Sequence, residues 1–211
     1  MTSSTAGAGL GPLRADRIDA VAIGASAGGV EALSVLLPAL PAALRAAVLI
    51  VVHLPRERAS VLAEIFSSKC VRPVREAEDK EPVEQGTVYF APPDYHLLVD
   101  KAGPASAQLA LSADDLVNFS RPSIDVLFES AADVYGRRLL GIILTGANHD
   151  GAAGLAAIHE AAGITVVQHP DTAQSSLMPM AAMKRSPVDY VLTLDQIAEL
   201  LRTLDGDQVT R

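Results

Sequence analysis

Five nearly unbroken runs of Val, Ile, Leu and Ala recur along the chain, at 19–24, 46–53, 138–146, 163–168 and 189–194, with helix-length stretches between them. A strand with one buried face alternates apolar and polar residues. A strand that is apolar throughout has to be covered on both faces, as in a parallel sheet between two layers of helices. The stretches at 29–40, 59–69, 122–135, 151–162 and 195–204 supply those helices; Ser120 or Ser123 can cap the third, and Pro122 suits its first turn. Alternation with right-handed crossovers gives a doubly wound, mostly parallel α/β domain, Rossmann-like and three-layered. The segment GTVYFAPPDYHLLVD (86–100) differs in texture. It predicts two short strands about a Pro-Pro-Asp turn, with AQLAL (107–111) as a third, forming an antiparallel hairpin extension of the main sheet.

With 211 residues, no internal repeat and no linker, the chain reads as one domain over 18–205, with short tails at 1–17 and 206–211. A net charge of −8 argues against nucleic acid or an anionic membrane as partner, since both reward clustered Lys and Arg. Arg56, Arg58, Lys69, Arg72 and Arg75 form a local basic cluster, read as a solvated mixed face. The lone cysteine, Cys70, excludes an internal disulfide and reads as buried and structural. No apolar run reaches membrane-spanning length and the N-terminus lacks a secretory pattern, so the expected location is cytoplasmic.

In a sheet of this kind, reacting groups gather beyond the carboxyl ends of the strands. The first run ends in Gly24-Ala25-Ser26-Ala27-Gly28, a G-x-S-x-G pattern, which predicts a sharp strained turn presenting the Ser26 hydroxyl. The second run ends at His53, and the third leads into Ala147-Asn148-His149-Asp150-Gly151. Each residue also has an ordinary use: Ser26 as a helix cap, His53 as a buried core histidine, Asp150 as the cap of the helix beginning near Gly151. Their coincidence at three strand ends favours a hydroxyl, imidazole and carboxylate working together. His149 is expected at the rim. His96, His159 and His169 have no acid or cysteine at ligand spacing, so no metal site is expected. The competing reading, a phosphate-cradling turn, lacks the middle glycine, a P-loop lysine and an acid closing the second strand.

Six ordered segments, VAIGASAGGVEAL, VVHLP, REAEDKEPVEQGTVYFAPPDYHLLV, RPSIDVLFESAA, GIILTGANHDGAAGL and LMP, together resemble the catalytic domain of the CheB-type protein-glutamate methylesterases. The resemblance runs from about Asp19 to Leu204 and implies Ser26 as nucleophile, His53 as base and Asp150 as acid, with oxyanion contacts near Ala27 and Ala147. It further implies hydrolysis of glutamate γ-methyl esters on a methylated chemoreceptor-like protein, in some members also glutamine deamidation, without a cofactor. Ala27 stands where the family commonly has threonine, and TGANHDGA replaces its usual Thr-Gly-Met-Gly-x-Asp-Gly-Ala. QHPDTAQSSLMPMAAM is likewise a loose version of the family segment. These departures leave room for a catalytically weak regulatory protein that binds in a sensory pathway. Many relatives carry an N-terminal receiver domain; seventeen tail residues are too few for one, which implies either freedom from that control or a separate receiver or kinase protein as partner.

Overall fold

The computed structural model describes residues 18–54, 61–103 and 106–204. Seven strands form one all-parallel sheet in the order β3-β4-β2-β1-β7-β8-β9: β1 (Ala20–Ala25), β2 (Ala47–Val52), β3 (Val74–Glu76), β4 (Val88–Phe90), β7 (Leu139–Ile143), β8 (Ile164–Gln168) and β9 (Tyr190–Leu192). All five strands expected from the apolar runs are present, and every residue of β1, β2 and β7 is buried. The short β3 has no apolar run to announce it. Strand order reverses beside β1, with β2 on one side and β7 on the other, so a crevice opens at the carboxyl end of this trio.

The period-2 alternation of the strands divides the core between two faces. Val21, Ile23 and Ala25 of β1 and Val48, Ile50 and Val52 of β2 pack toward α1 (Gly29–Leu36), α2 (Leu62–Ser67) and α6 (Leu194–Arg202). Ala20 and Ala22, with Leu49 and Val51, face α3 (Ile124–Tyr135), α4 (Ala152–Glu160) and α5 (Leu177–Arg185). The predicted helices appear with trimmed ends, residues 59–60 lying outside the described range. Pro122 sits before the cap of α3 rather than in its first turn, because that helix starts at Ile124 with Ser123 as N-cap. Sequence patterning missed α5, whose opening Leu177-Met178-Pro179 carries a proline that reads as a breaker; within a first turn its absent N–H removes no helical bond.

The antiparallel hairpin is present, but its partners differ from the expectation. β4 joins the parallel sheet beside β2, while β5 (His96–Gly103) pairs with β6 (Ser106–Ser112) as a separate two-stranded ribbon. The Pro-Pro-Asp segment is therefore a crossing between layers and not a hairpin turn. Cys70 is buried, its Sγ 3.5 Å from the Leu37 carbonyl, as a structural thiol should be. The described part of the basic cluster is engaged within the fold. Arg72 donates to the Gly86 and Ala42 carbonyls, Arg75 pairs with Glu81 and Glu84, and Lys69 lies over the Phe66 ring.

Candidate active site

Three adjacent strands lead into the three predicted residues, and two of these, His53 and Asp150, are joined by a hydrogen bond. Register Ala25↔Val52, continued one step, sets Ser26 beside His53, and the His53 N–H donates to the Ala25 carbonyl at 3.0 Å. Since Ala25 and Val52 face the α1 side, the next residue of each strand turns toward α3. Asp150 follows β7 and lies on that same side, fully buried. His53 Nε2 stands 2.8 Å from Asp150 Oδ2. A carboxylate only accepts, so Nε2 carries the proton and Nδ1 holds the ring's lone pair. His149 is exposed at the rim, as expected.

Asp150 accepts from five donors among the described residues: His53 Nε2, Asn118 Nδ2 (2.9 Å), Ser123 Oγ (2.8 Å) and the backbone N–H groups of Ile124 (2.7 Å) and Asp125 (3.3 Å). The last two are the opening amides of α3, so the acid sits on the positive end of a helix remote in sequence. Burial pushes its carboxyl up, but the bonds from His53, Asn118 and Ile124 N outweigh that and hold it below the usual aspartate value. Asp150 therefore does cap a helix. The helix is α3, not the one that follows it; α4 has Gly151 as N-cap, with no side-chain cap.

The turn after β1 is stapled to β7 and its following loop. Ser26 N donates to the Thr145 carbonyl at 2.9 Å, and Thr145 Oγ1 donates to the Ala27 carbonyl while receiving the Ser175 N–H. The expected strain is not on the serine. Positive φ falls on Gly28 (81°), the N-cap of α1, and a Cβ there would come within 2.5 Å of Gln174 Oε1. Gly28 thus provides room for a side chain of this chain, which argues against a phosphate cradle. Ser26 is half-buried and Ala27 and Ala147 are exposed. Neither the Ala27 nor the Ala147 N–H donates to any acceptor among the described residues. Two backbone N–H groups, one of them next in the chain to Ser26, are thereby unengaged, and unengaged N–H groups are the kind of donor that holds an oxyanion.

Four supporting residues escaped sequence reasoning. Asn118, at φ 51°, bridges the two carboxylates Asp125 (2.7 Å) and Asp150. Asp125 also takes the Gly154 N–H at 2.7 Å, tying α3 to α4. Burial raises the Asp125 carboxyl above its usual value; the Gly154 N–H opposes this and the neighbouring Asp150 charge adds to it. Asn148 reaches His53 Nδ1. His96 is a buried structural histidine, its Nε2 3.0 Å from the Asp115 carbonyl and its Nδ1 accepting the Ser123 N–H, which steadies the start of α3. The only sequence signal for Asn118, Asp125 and Asn148 is their proximity to SRPSID or to Asp150, and His96 has none. No group of three or more potential metal ligands occurs among the described residues.

The model of the CheB methylesterase family matches residues 21–201. The chain belongs to that family. Among relatives, the putative protein-glutamate methylesterase/protein-glutamine glutaminase of Leptospira interrogans is 47% identical over 191 residues, covering 90% of this chain and 97% of that protein. The protein-glutamate methylesterase/protein-glutamine glutaminase of Yersinia pestis is 40% identical over 192 residues, 90% of this chain but 54% of the Yersinia protein, so the chain spans about half of that relative. The crystal structure of the Thermotoga maritima CheB methylesterase catalytic domain superposes with a TM-score of 0.84 at 33% identity, covering 89% of this chain and 98% of that domain. The doubly wound fold with its two-stranded ribbon is the fold of the family's catalytic domain.

Proposed function

We propose that the protein is a serine esterase that hydrolyses glutamate γ-methyl esters on a chemoreceptor-like signalling protein, with Ser26 as nucleophile, His53 as base and Asp150 as its orienting acid. The observation that carries this reading is the 2.8 Å His53–Asp150 pair, beside the strand end that bears Ser26. Because Nε2 is committed to Asp150, Nδ1 is the atom that takes the Ser26 proton as Oγ attacks the ester carbonyl. The Ala27 and Ala147 N–H groups receive the oxyanion. Collapse of the tetrahedral species expels methanol, protonated from Nδ1, and leaves an acyl-serine. Water, deprotonated by Nδ1, attacks that ester, and Ser26 recovers its proton as the glutamate carboxylate departs. A glutamine side chain follows the same route with ammonia as leaving group, in line with the glutaminase half of the relatives' names.

The negative charge at Asp150 stabilises the imidazolium of each step without becoming protonated, a role suited to a carboxyl held below its usual value. No described helix is long and apolar enough to cross a membrane, in keeping with a substrate side chain reached from water. Methanol release from a methylated receptor fragment tests the reading. Ser26→Ala should lower the rate on the order of 10⁴-fold or more with an unchanged melting temperature. Equal release by both proteins would remove Ser26 from the chemistry.

A further inference from the structure

Asn148 makes three contacts that fix both ends of its carboxamide. Oδ1 accepts the Asp150 N–H at 3.2 Å, so Nδ2 points the other way, where it lies 3.3 Å from His53 Nδ1 and 3.4 Å from Ser120 Oγ. An amide nitrogen has hydrogens to give and no lone pair to accept with. His53 Nδ1 is the ring atom without a proton, because Nε2 donates to the acceptor-only Asp150. The Asn148 N–H therefore donates into the lone pair that the proposed chemistry assigns to the Ser26 proton. The Ser26 hydroxyl itself holds no hydrogen bond among the described residues. A base occupied by another donor and a nucleophile left unengaged are two sides of one arrangement.

We propose that Asn148 is a positioning residue that caps the resting base: its carboxamide occupies His53 Nδ1 and has to be displaced by Ser26 before acyl transfer can begin. The cap is a weak one. Its distance is at the long end for an N–H donor, and the same nitrogen is shared with Ser120, which offers it an alternative acceptor once it leaves the imidazole. Released from Nδ1, the carboxamide keeps its Asp150 N–H and Ser120 Oγ contacts, so the loop after β7 need not rearrange. The usual pattern of the family that the sequence resembles has glycine at this position, with no side chain to play this part. The cap bears on rate and not on which bond is broken.

This inference rests on His53 acting as base, and its test separates the two. Full-length wild type, Asn148→Gly, Asn148→Ala, Asn148→Asp and a Ser26→Ala control are compared for acylation by p-nitrophenyl acetate and for the ¹⁵N resonances of the His53 ring. Removing the cap should raise the acylation rate about fivefold in the Gly and Ala variants at unchanged KM, equivalent to about 1 kcal/mol. The Nδ1 resonance should move toward that of an unbonded lone pair while Nε2 stays in place. Asn148→Asp, nearly the same in shape but presenting an acceptor that draws a proton onto Nδ1, should acylate more slowly than wild type. A purely structural residue would lower the rate in all three variants together, and that result, or an unmoved Nδ1 resonance, overturns the proposal. If Nδ1 shifts but no protein shows Ser26-dependent acylation, the cap stands and the esterase reading falls.

Discussion

At the scale of single residues, Asp150 is where burial and hydrogen bonding oppose each other most directly. An acid fully removed from water ordinarily takes up a proton; five donors converging on this one keep it charged below the usual aspartate value. Asp150→Asn preserves the shape but brings amide hydrogens against the His53 and Ile124 donors, so Nε2 no longer has its acceptor and the tautomer that frees Nδ1 loses its support. We expect kcat to fall about 10³–10⁴-fold with KM little changed, measured on the methyl ester. The same carboxyl leaves a mark on stability. Since the native value is depressed, its contribution is complete above about pH 4, where unfolded aspartate is ionised, and is lost as pH falls through the native value. Asp125 works in the opposite sense, because its raised value means the native state gains as that group takes up a proton. Urea midpoints of the wild type should therefore drop as pH is lowered from 4 toward 3, and those of Asp150→Asn should be flatter over the same interval.

Among the elements, α3 links site and scaffold. Its first amides hold Asp150, its Asp125 receives the Gly154 N–H, and its flank rests on α4 so closely that a Cβ at Gly154 would lie 2.5 Å from Phe128 Cβ and 3.0 Å from the Asp125 backbone. Gly154→Ala has to push the two helices apart, costing about 2–3 kcal/mol. Calorimetry should show melting lowered by about 4–12 °C, and activity should fall as well, although residue 154 touches no reacting group, because the opening of α3 carries the acid. An unchanged melting temperature would show that the helices separate freely. The five strands with long apolar runs, the places of Ser26 and His53, and the approach of Asp150 could be read from the sequence because each depends on a local pattern, an apolar run and the residue that closes it. Asn118, Asp125 and Asn148 could not. Their partners lie on other elements, and only the docking of α3 over the end of β7 brings them together. The partner of β5 escaped for a related reason: period-2 alternation identifies a strand but not its neighbour, and Pro92-Pro93-Asp94 serves a crossing as well as a turn.

For the whole molecule, the parallel sheet is buried on both faces, and the proposed chemistry lies on its α3 side, at the rim. The opposite face can then be weakened without touching the site. Phe66, fully buried in α2 and stacked on Phe90 at 5.6 Å between ring centroids, belongs to that opposite core. Phe66→Ala should cost about 3–5 kcal/mol and lower melting by about 6–20 °C, while kcat and KM of the folded fraction stay as in wild type. A change in KM without a change in melting would mean that the two faces are not independent. The account as a whole depends on a hydroxyl made nucleophilic by an imidazole that a buried carboxylate orients. Labelling with diisopropyl fluorophosphate, read by intact mass and peptide mapping, tests this most directly. The account predicts a single adduct on Ser26, formed at least 10³-fold more slowly in His53→Ala; an adduct on another residue, or equal labelling of the two proteins, would contradict it.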